Sequence, residues 1–232
     1  MAVDLRGVTT VLLPGTGSDD DYVYRAFSGP LHEVGALLVN PPPQPDRLID
    51  GYLSDLDHAA HEGPIAVGGV SIGAAVAAAW ALAHPHHVIA VLAALPAWAG
   101  APGAAPAALA ARQSASQLRA DGLAATTTQM RASSPPWLAD ELARSWRAQW
   151  PLLPDAMEAA AAYIAPSCAD LTRLEAPLAV AAAVDDPIHP LQVALDWVTA
   201  APRAALRTVT LDQMGTNTAT LGAACLVALA DL

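Results

Sequence analysis

A chain of 232 residues, 54% hydrophobic and 14% charged, is long and apolar enough for one α/β domain with a substantial core, and too apolar to stay disordered. Its net charge of −11, with arginine as the only strong base, excludes the basic stripe that a nucleic-acid backbone requires; the acidity serves solubility. Two cysteines, Cys168 and Cys225, exclude a disulfide framework or a cysteine-rich metal site.

The N-terminal Met1-Ala2-Val3-Asp4-Leu5-Arg6 lacks a charged segment followed by an apolar one, so no signal peptide is expected. The longest apolar stretch, Ala74 to Ala83, is too short to span a membrane, and a cytoplasmic location is expected. Apolar runs suited to buried parallel strands occur at Val8–Leu13, Ala36–Val39, Ile65–Gly68, Val88–Ala94, Leu178–Ala183 and Leu206–Leu211. Helical patterns fall between them: Asp46–Glu62, amphipathic through Leu48, Tyr52, Leu53, Leu56 and Ala59; Gly73–His84, nearly all apolar; Leu191–Thr199; and Ala219–Ala230. This alternation predicts an α/β fold, a mostly parallel, doubly wound sheet of about six strands with helices on both faces. Ligands in such sheets bind beyond the carboxyl ends of the strands.

Residues 97–166 break the alternation. They hold no convincing strand, but several helical runs punctuated by Gly122, Pro135-Pro136, Pro151 and Pro154. The expected organisation is a core of residues 1–96 and 167–232 with a helical cap insertion at 97–166. Trp98, Trp137, Trp146 and Trp150 fall in this segment. They either pack cap against body or line an apolar acyl or aromatic pocket.

Gly69-Val70-Ser71-Ile72-Gly73 carries the chemistry. A serine on a tight strand-to-helix turn needs small residues two positions either side, so that the backbone turns sharply and exposes the hydroxyl. The helix start beneath it offers free N–H groups to a developing oxyanion. An ordinary Gly-rich turn with a structural serine is the plainer reading of the same residues.

Four landmarks in order resemble the α/β-hydrolase family, and the resemblance covers nearly the whole chain. Leu12-Leu13-Pro14-Gly15-Thr16-Gly17-Ser18 is similar to the family's first oxyanion loop, with Pro14 where many relatives have histidine. The second landmark is the elbow. The third is Ala183-Val184-Asp185-Asp186-Pro187-Ile188-His189-Pro190, which resembles the acid loop and implies Asp186, rather than Asp185, as the acid. The last is Leu206–Leu211 with its turn, Asp212-Gln213-Met214-Gly215-Thr216-Asn217, where the family commonly places a Gly-His pair.

Here that pair reads Gly215-Thr216, so the base is missing from its usual position. Threonine and asparagine cannot take a proton from serine at neutral pH, and a serine without a base is a poor nucleophile. His84, His86 and His87 fall at the far end of the elbow helix, where they suit a helix C-terminus. His32, His58 and His61 fit peripheral surface positions. His189 stands three residues after Asp186 in the catalytic-edge loop. It either lines the rim or reaches Ser71 as a substitute general base, with a reference pKa of about 6.5.

The oxyanion hole is expected from the Ile72 N–H with that of Thr16 or Gly15. Asp19-Asp20-Asp21 suits a solvated loop or helix cap better than a metal site, since no histidine clusters with it. No metal or cofactor is called for, and no P-loop or dinucleotide fingerprint is present. The leading expectation is a cofactor-free serine hydrolase of carboxylic esters or thioesters, acting through Ser71, Asp186 and His189 on a small apolar acyl-type substrate. The alternative is a catalytically impaired hydrolase-like protein that binds a small molecule or a partner subunit. Ala-rich helices leave a homo-oligomer open.

Overall fold

Apolar runs bounded by turn residues become the strands, and the stretches between them become helices. In the computed structural model, which describes residues 3–232, the order begins β1 (Thr9–Leu13), α1 (Asp20–Glu33), β2 (Leu37–Val39), α2 (Leu48–Ala59), β3 (Ile65–Val70), α3 (Ile72–Ala83) and β4 (Val88–Ala94). Met1 and Ala2, the start of the segment read above for a signal peptide, lie outside the described residues. Next come α4 (Pro106–Ser133), α5 (Pro136–Gln149), α6 (Leu153–Ala162) and α7 (Cys168–Leu171). The chain closes with β5 (Leu178–Ala183), α8 (Leu191–Ala200), β6 (Ala204–Val209), α9 (Leu211–Thr216) and α10 (Ala219–Ala230).

The six strands form one parallel sheet in the order β2-β1-β3-β4-β5-β6. Every residue of β3 and β5 is buried, as expected of strands covered by helices on both faces. One face packs α1 and α10 around Phe27, Leu31, Leu92 and Leu221; the other packs α2, α3 and α8 around Tyr52, Leu56, Val76 and Trp197. After β1 the chain goes outward to β2, then crosses back to β3 on the other side of β1. That reversal opens a crevice at the carboxyl ends of β1 and β3, the position where doubly wound sheets hold ligands.

The last strand is displaced from its expected place. β6 spans Ala204–Val209 rather than Leu206–Leu211, because Thr210 stops it by capping a helix. The Thr210 Oγ1 accepts from the Gln213 N–H at 3.1 Å, and the Gln213 side chain accepts from the Thr210 N–H at 2.9 Å. The residues read as a turn are therefore the short helix α9.

Between β4 and β5 lie the helices that roof the site. Pro106, Pro136 and Pro154 stand in the first turns of α4, α5 and α6, where a missing N–H costs nothing. Gly122, at φ 78°, kinks α4 into two helical segments. Arg119 on α4 pairs with Asp155 at 2.6 Å and with Glu158, tying α4 to α6. Arg144 on α5 forks onto Asp19 at 2.5 and 3.0 Å, tying α5 to the start of α1. The four tryptophans divide: Trp98 is buried with its Nε1 donating to the Tyr163 carbonyl, Trp137 and Trp146 line a cavity, and Trp150 is exposed. No helix among the described residues is long and apolar enough to cross a membrane.

Candidate active site

Ser71 is the single residue between β3 and α3, with φ 56° and ψ −114°. Serine rarely takes this backbone conformation, and it persists only where its surroundings enforce it. The enforcement is steric. A Cβ at Gly69 or Gly73 would collide with the Leu13 carbonyl oxygen, so the elbow lies directly against the end of β1. The Ser71 N–H donates to the Ala94 carbonyl at 2.9 Å, which holds the turn from its other side. The glycines of the motif are thus required by close approach to the end of β1.

The acid loop follows β5. Asp186 Oδ1 accepts from the Ile188 N–H at 2.7 Å and from the His189 N–H at 3.3 Å, so the carboxylate folds the next three residues around itself. Pro187 and Pro190 fix φ on either side and stiffen that curl. The curl swings the imidazole inward: His189 Nδ1 lies 2.7 Å from Asp186 Oδ2, and His189 Nε2 lies 3.0 Å from Ser71 Oγ. Read as donors, the His189 Nδ1–H donates to the carboxylate and the serine hydroxyl donates to Nε2. Burial pushes the Asp186 carboxyl up, but the His189 imidazole and the Ile188 and His189 N–H groups outweigh it and hold it below the ordinary carboxylate value. Asp185 does a different job, accepting from the Leu211 N–H at 2.8 Å and so tying this loop to α9.

The structure brings the other expected residues to the same place. Gly15 abuts the elbow, its Cβ position 3.5 Å from Ser71 Cβ. Its loop is pinned by Tyr52, whose hydroxyl donates to the Pro14 carbonyl at 3.1 Å, and by Gln149, which donates to the Ser18 carbonyl at 2.9 Å. Gly15 and Thr16 line the same cavity as Ser71, and Ile72 opens α3 with the first N–H after Ser71. Asp19 is no solvated loop residue. It is buried, caps α1 by accepting from the Tyr22 N–H at 3.0 Å, and receives Arg144. Among the described residues no group of three or more His, Cys, Asp or Glu side chains is placed to hold a metal ion.

The remaining histidines stay away from Ser71. His84 Nδ1 sits 2.9 Å from the Trp80 carbonyl at the end of α3 and stacks on the Trp80 ring. His32, His58 and His61 are exposed. Thr216, the residue at the usual histidine position, ends α9 and is exposed; Leu211 and Met214 supply this segment's share of the cavity wall. Trp137 packs so tightly on Gly215 that a Cβ there would collide with the indole. A histidine restored by Thr216→His therefore points to solvent, and esterase turnover is expected to change less than twofold; a tenfold or larger gain would show that this segment still reaches the serine.

Above these groups a cavity of about 640 Å³ separates the sheet edge from α4 and α5. Val70, Leu95, Trp137, Leu138, Leu142 and Met157 make much of its wall apolar. Sequence reading missed Tyr22 and Leu95 as cavity residues. For Tyr22 a signal existed, since it falls in the first helical turn after the Gly15-Thr16-Gly17-Ser18 loop; Leu95, with φ 51°, gave none.

No protein-family model and no curated relative matches the chain. Solved structures do. A hydrolase from Oleispira antarctica is 13% identical, with TM-score 0.69 over 96% of this chain and 91% of that one. An esterase from Thermogutta terrifontis is 19% identical, with TM-score 0.64 over 88% and 82%. An α/β-hydrolase enzyme from a Medee basin deep-sea metagenome library is 13% identical, with TM-score 0.70 over 98% and 90%. At these identities the likeness is one of architecture: the chain has the α/β-hydrolase fold.

Proposed function

We propose that this chain is a serine hydrolase of carboxylic esters or thioesters in which the general base has moved from the loop after the last strand into the acid loop. The carrying observation is the unbroken line Ser71 Oγ to His189 Nε2, 3.0 Å, and His189 Nδ1 to Asp186 Oδ2, 2.7 Å. These are the lengths and the order a nucleophile, base and orienting acid need. A triad is defined by geometry and roles rather than by sequence position, so a base three residues from its acid satisfies the same chemistry.

In this reading Ser71 Oγ attacks the acyl carbon while His189 Nε2 takes its proton. The carbonyl oxygen gathers charge against the Ile72 N–H and that of Thr16 or Gly15. His189 returns the proton to the departing alkoxide or thiolate, leaving an acyl-serine. Water then repeats the sequence: His189 takes its proton, the acid departs, and Ser71 recovers its hydroxyl. Asp186, unprotonated through the neutral range, keeps Nδ1 protonated and stabilises the imidazolium as it forms. The cycle calls on no group beyond these residues and water.

The alternative of a binder or partner subunit stands on the missing base at Thr216; the 3.0 Å separation of His189 Nε2 from Ser71 Oγ favours the hydrolase reading over it. Hydrolysis of p-nitrophenyl butyrate and of a butyryl thioester by the purified chain tests the proposal. Turnover that disappears in Ser71→Ala is expected; equal rates in the two proteins would refute it.

A further inference from the structure

The lining of the cavity above Ser71 is not uniformly apolar. Beside Leu138 and Leu142 of α5 and the alanines and Met130 of α4, it includes Ser114, Gln117, Gln129 and Ser133 of α4. A pocket for a plain hydrocarbon chain gains nothing from amides and hydroxyls, which cost free energy when a ligand dehydrates them without replacing their hydrogen bonds. The charges at its margin are already committed. Arg144 is held by Asp19, Asp21 and Glu141, and Arg25 by Asp21 and Glu141. Among the described residues a charged substrate finds no free counter-ion there.

Tyr22 adds a specific donor. It is only 7% exposed, its ring packed among the core residues beneath the sheet edge, and it reaches solvent-sized space where it lines the cavity. Its hydroxyl makes no hydrogen bond within the described residues, yet it keeps some accessible surface. It therefore opens into the chamber as a donor without an acceptor. Burial, with the Glu141 and Asp186 carboxylates nearby, raises the phenol far above its ordinary value, so it keeps its proton at any working pH. Buried polar groups are normally paired, and one left open in a ligand chamber marks the place of a partner that arrives with the ligand.

We propose that the site takes an uncharged ester whose acyl chain carries a second, hydrogen-bond-accepting oxygen, and that the Tyr22 hydroxyl reads that oxygen. This rests on the hydrolase reading above. It makes Tyr22 a specificity-determining residue: the ester alone is enough for turnover, and the extra oxygen improves the fit. Phenylalanine preserves the ring and its packing, so Tyr22→Phe removes the donor and little else.

The test compares p-nitrophenyl hexanoate with its 3-, 4- and 5-methoxy derivatives, acceptor-only probes of nearly constant polarity, in the wild-type, Tyr22→Phe and Ser71→Ala proteins. The expected result is a preference of about tenfold or more in kcat/KM for at least one methoxy ester in the wild type. Tyr22→Phe should abolish that preference, the preferred methoxy ester losing about tenfold more in kcat/KM than plain hexanoate loses. Turnover without any methoxy preference overturns the proposal and leaves the hydrolase reading standing, and so does a preference that survives in Tyr22→Phe. A fall on plain hexanoate as large as on the methoxy esters also overturns it, placing the hydroxyl on the scissile ester instead. Absence of Ser71-dependent turnover of plain hexanoate brings down the hydrolase reading and this one with it.

Discussion

His189→Ala is expected to lower kcat on an activated ester by about 10⁴-fold or more, leaving the residual rate that an oxyanion hole and binding alone provide. The imidazole is half-buried at the cavity edge, not in the core, and Asp186 keeps its bond to the Ile188 N–H when the ring is removed. Folding should survive, which circular dichroism and a thermal melt would check. The diagnostic is non-additivity. Residues acting as one unit fail together, so Ser71→Ala with His189→Ala should be no worse than either alone. A double variant much slower than both singles would mean that His189 and Ser71 act separately.

Asp186→Asn is expected to lose about 10³–10⁴-fold in kcat at neutral pH with KM little changed. Asparagine keeps an oxygen for the Ile188 N–H, but its amide can present a donor to Nδ1 and so favour the wrong tautomer. The same carboxylate gives a stability signature. Its value in the folded protein lies below its unfolded value, so its contribution is full above about pH 4 and is lost as pH falls through the lower, folded value. Acid unfolding followed by fluorescence should therefore show a weaker pH dependence at the acid end in Asp186→Asn. An unchanged acid limb together with near-normal kcat would remove Asp186 from the mechanism.

The fold was legible because its signals are local and repeated. β4 and β5 run from the first to the last residue of their apolar stretches, since a parallel strand covered on both faces needs an unbroken apolar run. The elbow was legible because its glycines answer a steric demand that any sequence meeting it must honour. β6 departs from its expected range because it is an edge strand with Arg207 and Thr208 exposed, so an apolar run no longer marks its extent. The capping pair Thr210 and Gln213 was the readable signal for its end.

The candidate site was legible in part. The resemblance of its loop to the family's acid loop pointed to Asp186, but the reach of His189 could not be read, because it depends on two backbone hydrogen bonds to one carboxylate oxygen. That curl is a local fold of five residues, Asp186-Pro187-Ile188-His189-Pro190, whose parts are each ordinary. The cavity was still less visible. Its walls come from α1, α4, α5 and the ends of the strands, brought together only when the helices after β4 fold over the sheet edge.

The most direct measurement is labelling with a fluorophosphonate, the adduct mapped by mass spectrometry and the rate compared between the wild-type and His189→Ala proteins. An activated serine reacts with such a probe without any match to the natural substrate. The account predicts rapid modification of the wild type at Ser71 alone, slowed by at least a hundredfold in His189→Ala. No labelling of the wild type, or labelling at Ser71 that proceeds equally fast without His189, would contradict it.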